Sequence, residues 1–172
     1  FRDYFWGAYF VFIRLLNEFP DFFKNDIASY YAGSCVEAMD MQDEALKIYQ
    51  DSKNHYPLSS ITPLTDLALM RIYFRKGAYE ELSSQFAELN RMNVSDSIRA
   101  HGCYIMGQAE MQRKEYKNAN QYFNLVPEDH PMYIYAQHSA AVAWYNLDNQ
   151  EMAVASLENC ISATATNAAQ KE

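Results

Sequence analysis

Apolar residues recur every three or four positions along most of the chain, which is the spacing of amphipathic helices and not the alternation of strands. Four such segments are DIASYYAGSCVEAMD (26–40), PLTDLALMRIYFRKG (63–77), AHGCYIMGQAEMQRK (100–114) and IYAQHSAAVAWYNLD (134–148). Each is followed by a short turn and another helical segment, and short connections join adjacent antiparallel helices. The pattern predicts an all-α chain of helical hairpins.

The second helical segments repeat at a nearly constant spacing. Each contains a small or apolar residue followed, four positions later, by an aromatic residue or leucine. The first members of these pairs are Ala8, Ala45, Leu82, Ala119 and Ala153. Successive members are 37, 37, 37 and 34 residues apart. A period of this length predicts a repeat protein whose hairpins stack on one continuous apolar core.

Residue size follows the same period. Gly33 and Gly107 would let a first helix approach its partner closely, and the rings of Tyr49 and Phe123 would fill the space between hairpins. The prolines that close second helices at a fixed offset are Pro20, Pro57 and Pro131. A proline ends a helix because it has no N–H to donate.

These positions resemble the tetratricopeptide repeat, which has Gly or Ala in its first helix and Ala, an aromatic residue and Pro in its second. The sequence departs from that pattern at Met70, Leu82 and Glu110. The resemblance implies an α-α superhelix, a solenoid of antiparallel hairpins with about nine helices. Residues 1–172 would form one array. Its complete repeats would be 26–57, 63–94, 100–131 and 134–165, and residues 3–20 would be the second helix of a truncated repeat.

In such arrays, the resemblance implies that first helices line a concave groove that binds a protein or peptide segment. The residues that we assign to this groove set are Tyr30, Glu37, Leu67, Arg71, Phe74, Arg75, Tyr104, Gln108, Met111, Tyr135, His138 and Tyr145. Tyrosine and arginine are enriched at protein interfaces. Two alternatives stay open. The tyrosines would simply pack against each other, or the array would act as an assembly module through its ends or convex face.

Charge and hydropathy narrow the range of partners. The net charge is −8, from 14 basic and 22 acidic residues, so the chain would repel nucleic acid and anionic membranes. No stretch reaches the roughly 20 apolar residues of a membrane span, so we expect no direct membrane insertion. The partner class is therefore protein.

Motifs that carry chemistry are missing from the sequence. It contains no GxxxxGK[ST] or GxGxxG pattern for phosphate binding. The four histidines lack paired i,i+4 spacing, so we expect isolated surface or groove histidines. The three cysteines have no zinc spacing. We therefore predict no cofactor, no metal ion and no enzymatic activity.

The first segment is unusually aromatic, and its exposed patch predicts self-association. The chain opens with Phe1 and not Met, so we interpret it as a fragment of a longer protein. Residues 56–82 are similar to bacterial cell-envelope tetratricopeptide proteins of the outer-membrane-assembly and Tol–Pal accessory type. That similarity favours the bacterial periplasm or cell envelope, with the cytoplasm as the alternative.

Overall fold

The computed structural model describes the backbone of residues 2–169 and the side chains of residues 4–163. Over that backbone there are nine helices and no strands. The helices are α1 (Arg2–Glu18), α2 (Asn25–Ala38), α3 (Gln42–His55), α4 (Thr62–Lys76), α5 (Tyr79–Arg91), α6 (Asp96–Gln112), α7 (Tyr116–Phe123), α8 (Tyr133–Asn146) and α9 (Gln150–Ala169). The all-α prediction is confirmed. Phe1 and residues 170–172 of the predicted array lie outside the described residues.

The chain divides into two compact units, and the first is Phe1–Lys76. In it α1 packs on α2, α2 on α3 and α3 on α4. Its core consists of the buried residues Val36, Met39, Ala45, Tyr49, Ala68, Leu69 and Ile72. Apolar faces of consecutive helices therefore meet in one cluster, as stacking hairpins require.

The second unit is Gly77–Glu172. In it each helix from α5 to α8 packs on the next one, and α6 also reaches α8. Its core consists of Ala100, Cys103, Ala119, Phe123, Val126, Ala136 and Ala140. Alanine is frequent at these contacts, which allows the helix backbones to approach closely.

A left-handed residue follows the first helix of every hairpin. These residues are Asp40 (φ 64°), Gly77 (φ 67°), Lys114 (φ 63°) and Asp148 (φ 56°), and they are 37, 37 and 34 residues apart. At the first, the Met41 N–H donates to the Val36 carbonyl and the Asp40 N–H donates to the Glu37 carbonyl, both at 3.0 Å. The same pair of bonds recurs after α6 and α8. This Schellman turn is therefore a repeated unit even where its left-handed residue is not glycine.

The second helix of the third repeat was predicted over residues 118–131, and α7 is shorter than that. It ends at Phe123, because Pro127 has no N–H to donate and its ring would clash with the carbonyl of that residue. The Val126 N–H instead donates to the Phe123 carbonyl at 3.1 Å in a tight turn. Non-helical chain therefore leads from α7 to α8. At the other end of the unit, α9 continues to Ala169, beyond the predicted limit at 165.

Candidate functional site

The first unit contains a very close approach between α2 and α3. The ring of Tyr49 lies directly over Gly33, where an added Cβ would be only 2.6 Å from Cε1 of the ring. The Tyr49 side chain is fully buried. Only glycine at position 33 accommodates this contact, and the contact fixes the direction in which the tyrosine hydroxyl points.

That hydroxyl donates a hydrogen bond of 2.9 Å to Oε2 of Glu37. Arg71 on α4 donates to both carboxylate oxygens, from Nε at 3.0 Å and from Nη2 at 2.8 Å. Nη1 of Arg75 lies 3.5 Å from Oε1. The Glu37 side chain is 8% exposed, against 38% for Arg71 and 47% for Arg75. In this Glu37 cluster (Tyr49, Glu37, Arg71 and Arg75), one nearly buried carboxylate holds two half-exposed guanidinium groups.

Electrostatics keeps the Glu37 cluster ionised. Burial alone would raise the pKa of Glu37, but the hydrogen bonds and charge of Arg71 outweigh burial and hold that pKa below its ordinary value. Burial also lowers the pKa of Arg71, and Glu37 more than offsets this and raises it. The pKa of Tyr49 is raised strongly by burial and by the Glu37 carboxylate, so its hydroxyl keeps its proton. The cluster therefore carries one negative and two positive charges at neutral pH.

Tyr30 borders the cluster from α2. Its ring centroid is 5.8 Å from that of Tyr49, and the charge of Arg71 acts on its hydroxyl. Burial raises the pKa of Tyr30 despite the nearby arginine. Of the other groove-set residues in this unit, Phe74 is half-buried, whereas Leu67 is 5% exposed. Leu67 therefore offers a partner almost no surface.

The second unit repeats the close approach without the charges. Phe123 of α7 lies over Gly107 of α6, where an added Cβ would be 2.4 Å from Cε1 of the ring. Tyr104 lies beside this ring at 6.1 Å between centroids, as Tyr30 lies beside Tyr49. Met111 has the repeat position of Glu37, and Val142 has that of Arg71. These two positions are therefore apolar in this unit, although Glu110, next to Met111, is buried and pairs with Arg113 at 3.0 Å.

The geometry of the first hairpin agrees with a sequence match, since residues 28–59, which include the Gly33–Tyr49 contact, match the tetratricopeptide repeat family. The fold is similar to the crystal structure of MamA, with a TM-score of 0.77 over 95% of this chain and 91% of that chain, at 15% identity. The chain has the tetratricopeptide repeat fold. A kinesin-light-chain-type protein of Podosopora anserina with nearly identical TPR-like repeats is similar too, with a TM-score of 0.73 over 98% and 89% of the chains, at 13% identity. The sequence has no significant match among curated proteins.

These comparisons confirm the fold class predicted from the sequence, and they support the tetratricopeptide repeat family. Identities this low show the shared fold alone. Tetratricopeptide proteins are typically non-catalytic and generally bind protein partners through surfaces formed by stacked repeats. The comparisons therefore do not identify which residues of this chain would bind a partner.

In the second unit, the groove set is more exposed than in the first. Tyr135 and Tyr145 on α8 are 58% and 69% exposed, and His138 between them is exposed as well. Met111 on α6 is half-buried. Nε2 of Gln108 donates to Oγ of Ser139 at 2.7 Å and ties α6 to α8. α8 therefore exposes a large aromatic surface, and the hydrogen bond between Gln108 and Ser139 joins α8 to α6.

Two histidines that we expected to be isolated lie together. The rings of His101 on α6 and His130 before α8 are 5.0 Å apart between centroids and nearly perpendicular. The sequence expectation was wrong for this pair because a connection between helices returns His130 to the start of α6, 29 residues away. Linear spacing along one helix cannot detect such a contact.

Within the described residues, no three His, Cys, Asp or Glu side chains are grouped so that they could hold a metal ion. Burial raises the pKa of the thiols of Cys35, Cys103 and Cys160, which keeps them protonated at neutral pH. Over the same part of the chain, no helix combines the length and the apolar character needed to cross a membrane.

Proposed function

We propose that this chain is a non-catalytic scaffold that binds a segment of another protein along the first helices of its tetratricopeptide repeats. The observation that carries the proposal is the Glu37 cluster. Two guanidinium groups remain half-exposed on α4 while their shared carboxylate is nearly buried. Arginine held in this way keeps free N–H donors for a partner and loses little conformational freedom on binding.

Stability gives a weak reason for such a cluster. Burying a carboxylate costs free energy that its ion pairs only partly return, and apolar residues in the same place are often as stable. The second unit has that apolar version, with Met111 and Val142. The charges of the first unit therefore support a role in recognition.

The exposed aromatic side chains of the second unit support the same function. Tyr135 and Tyr145 offer large area with few rotatable bonds, which is the character of interface anchors. The first unit would offer a partner polar, positively charged chemistry on α2 and α4, and the second unit would offer aromatic chemistry on α6 and α8.

Matched substitutions test this function in an affinity pull-down followed by quantitative mass spectrometry. Arg71→Ala and Tyr145→Ala should each reduce recovery of a bound protein. The controls are Arg14→Ala, an exposed arginine in an ion pair on α1, and Phe23→Ala, an exposed aromatic residue between α1 and α2. Equal recovery by all four variants would refute binding through the groove set.

The alternative function is an assembly module, and one observation favours it. The face of α1 around Gly7 is uncovered, whereas the aromatic rings of α3 and α7 each pack on a glycine of the preceding helix. A Cβ added at Gly7 would have no neighbour within 4 Å, and an open pocket beside it is lined by Tyr4, Ala8, Val11 and Phe12. This face would support self-association or packing into a larger complex. From the resemblance of residues 56–82 to cell-envelope proteins, we further propose the bacterial cell envelope as the location of such a complex.

Sedimentation velocity over a concentration series tests the assembly reading. Val11→Asp should abolish concentration-dependent association, because it puts a charge on the open face of α1. Leu125→Asp is the matched control, since Leu125 is an exposed apolar residue elsewhere. Association that survives Val11→Asp would exclude α1 as the contact.

A further inference from the structure

His130 has a hydrogen-bonding arrangement that depends on its charge. Its Nδ1 lies 3.1 Å from the backbone nitrogen of Met132, and its Nε2 lies 3.1 Å from Oγ of Ser97 on α6. A backbone N–H can only donate, so Nδ1 must hold a lone pair. The ring is therefore neutral with its proton on Nε2, and it donates that proton to the serine hydroxyl.

This ring joins the start of α8 to α6. Met132 is the N-cap residue of α8, and its side chain makes no capping hydrogen bond. The backbone around the ring is also tied down, since the His130 carbonyl accepts from the Tyr133 N–H at 2.8 Å. His130 thus takes up a backbone donor at a helix start that has no side-chain cap of its own.

His101 makes protonation of this ring more costly. Its Nδ1 lies 3.1 Å from the Ser97 carbonyl, so Nδ1 is the protonated nitrogen and a single serine binds both histidines. Burial and His101 both lower the pKa of His130, whereas Asp129 on the same segment acts in the opposite direction. The nearby charges Arg99 and Glu128 act instead on Cys103 and Tyr133.

We propose that His130 is a proton-operated latch that holds the start of α8 on α6 when neutral and releases it when protonated. Protonation puts a hydrogen on Nδ1, which can then no longer accept from Met132. The released end of α8 leads directly to Tyr135 and His138, so the latch would regulate how these residues are presented. That last consequence rests on the proposed binding function, whereas the latch itself does not.

The sign of the pH dependence follows from the lowered pKa. The unfolded chain binds a proton at about pH 6.5, its ordinary value, and the folded chain binds it only at lower pH. The stabilisation by neutral His130 is therefore fully present above about pH 6.5. It is lost as the pH falls through the folded pKa.

NMR on the full chain measures both parts of the latch without a partner. The ring C–H signals give the midpoint of His130, and hydrogen exchange gives the protection of the Met132 amide after correction for intrinsic rates. We expect a midpoint below about 6.5. Between about pH 7.5 and pH 5 we expect Met132 protection to fall about tenfold, the loss of one hydrogen bond.

Variants separate the latch from simple destabilisation by acid. His130→Asn keeps an acceptor near the position of Nδ1 but cannot titrate, so Met132 protection should become independent of pH. His55→Asn, at an exposed histidine on α3, should leave the pH dependence unchanged. If His130→Asn fails to fold, His101→Asn should raise the His130 midpoint instead. A His130 midpoint at or above about 6.5, or equal protection of Met132 at both pH values, would overturn the latch.

Discussion

Gly33 in the first unit and Gly107 in the second occupy the same place in the repeat, and each lies under a fully buried aromatic ring. The surroundings of the two rings differ in every polar group. Tyr49 donates to a carboxylate that two arginines bind, whereas the Phe123 ring has no hydroxyl. In that unit Met111 and Val142 replace the carboxylate and the first arginine.

Comparing the two units distinguishes the residues that the hairpin requires from the polar residues that differ between the units. The close approach of two helices requires a glycine and a flat ring, because both units have those. At these repeat positions the hydroxyl, the carboxylate and the first arginine occur in one unit only, and they change together. A buried hydroxyl needs an acceptor, and a buried carboxylate needs donors. The residues at the three positions, which are tyrosine, glutamate and arginine in the first unit, therefore depend on each other.

The largest effect should come from adding a side-chain carbon at Gly107. In Gly107→Ala the new Cβ would lie 2.4 Å from a ring atom of Phe123, and that ring is fully buried. We expect a loss of about 3 kcal/mol in the free energy of unfolding. Urea unfolding in a Trp6→Phe background measures it, because Trp144 then reports on the second unit alone.

Gly7→Ala is the matched control for this prediction. Gly7 also lies inside a helix, but a Cβ added there has no neighbour within 4 Å. Alanine should stabilise α1 by about 0.5–1 kcal/mol, because glycine loses more conformational freedom in a helix. If both alanines had the same effect, the aromatic contact would not be what selects glycine at position 107.

Glu37→Met, which gives the first unit the residue of the second, should have the next largest effect. It would leave the Tyr49 hydroxyl buried without its acceptor and would remove the partner of Arg71. We expect a cost of about 2–3 kcal/mol, near the low end for a broken buried pair because the arginines can reach water. Trp6 in a Trp144→Phe background reports on unfolding of this unit.

A combined variant shows whether these groups act as one set. Glu37→Met with Tyr49→Phe and Arg71→Val reproduces the apolar set of the second unit. The triple variant should recover at least about 1 kcal/mol relative to Glu37→Met alone, because no buried polar group is then left unpaired. Additive losses would contradict the coupling.

The reverse change in the second unit should cost less. Phe123→Tyr would place a hydroxyl against Met111, whose thioether is a weak acceptor. We expect a loss of about 1–2 kcal/mol, the cost of an unsatisfied buried hydroxyl. Adding Met111→Glu and Val142→Arg should restore part of that loss. If Phe123→Tyr were neutral in the same Trp144 assay, the hydroxyl would have another acceptor.

The repeat itself was predictable from sequence because it rests on local features. Helical spacing, the glycine–ring pairs and the period all appear again in the structure, and the left-handed turns follow that period at Asp40, Gly77, Lys114 and Asp148. The sequence predicted that Pro131 closes α7, but the helix ends earlier because Pro127 already lies inside the segment.

The polar contacts were not predictable because they join residues on different helices. Glu37 and Arg71 were both assigned to the groove set, but nothing in their spacing of 34 residues shows a bidentate ion pair. The burial of Leu67 and the contact of His101 with His130 have the same origin. Each depends on the rotation of one helix against its neighbour, which a linear pattern leaves undefined.

The smallest effect should come from Tyr49→Phe, which removes only the hydroxyl. The ring keeps its contact with Gly33, and Glu37 keeps both hydrogen bonds from Arg71. We expect a loss of about 1 kcal/mol at neutral pH, the usual worth of one hydrogen bond. The pKa of Glu37 is lowered in the folded state, so its contribution is present above the unfolded pKa of about 4.3 and is lost as the pH falls through the folded pKa. The difference between wild type and variant should therefore shrink in acid, because a protonated carboxyl accepts the hydroxyl less strongly. Urea unfolding of both proteins at neutral pH and below pH 4 measures this, and a difference that stayed constant would mean that the hydroxyl acts through packing and not through the Glu37 charge.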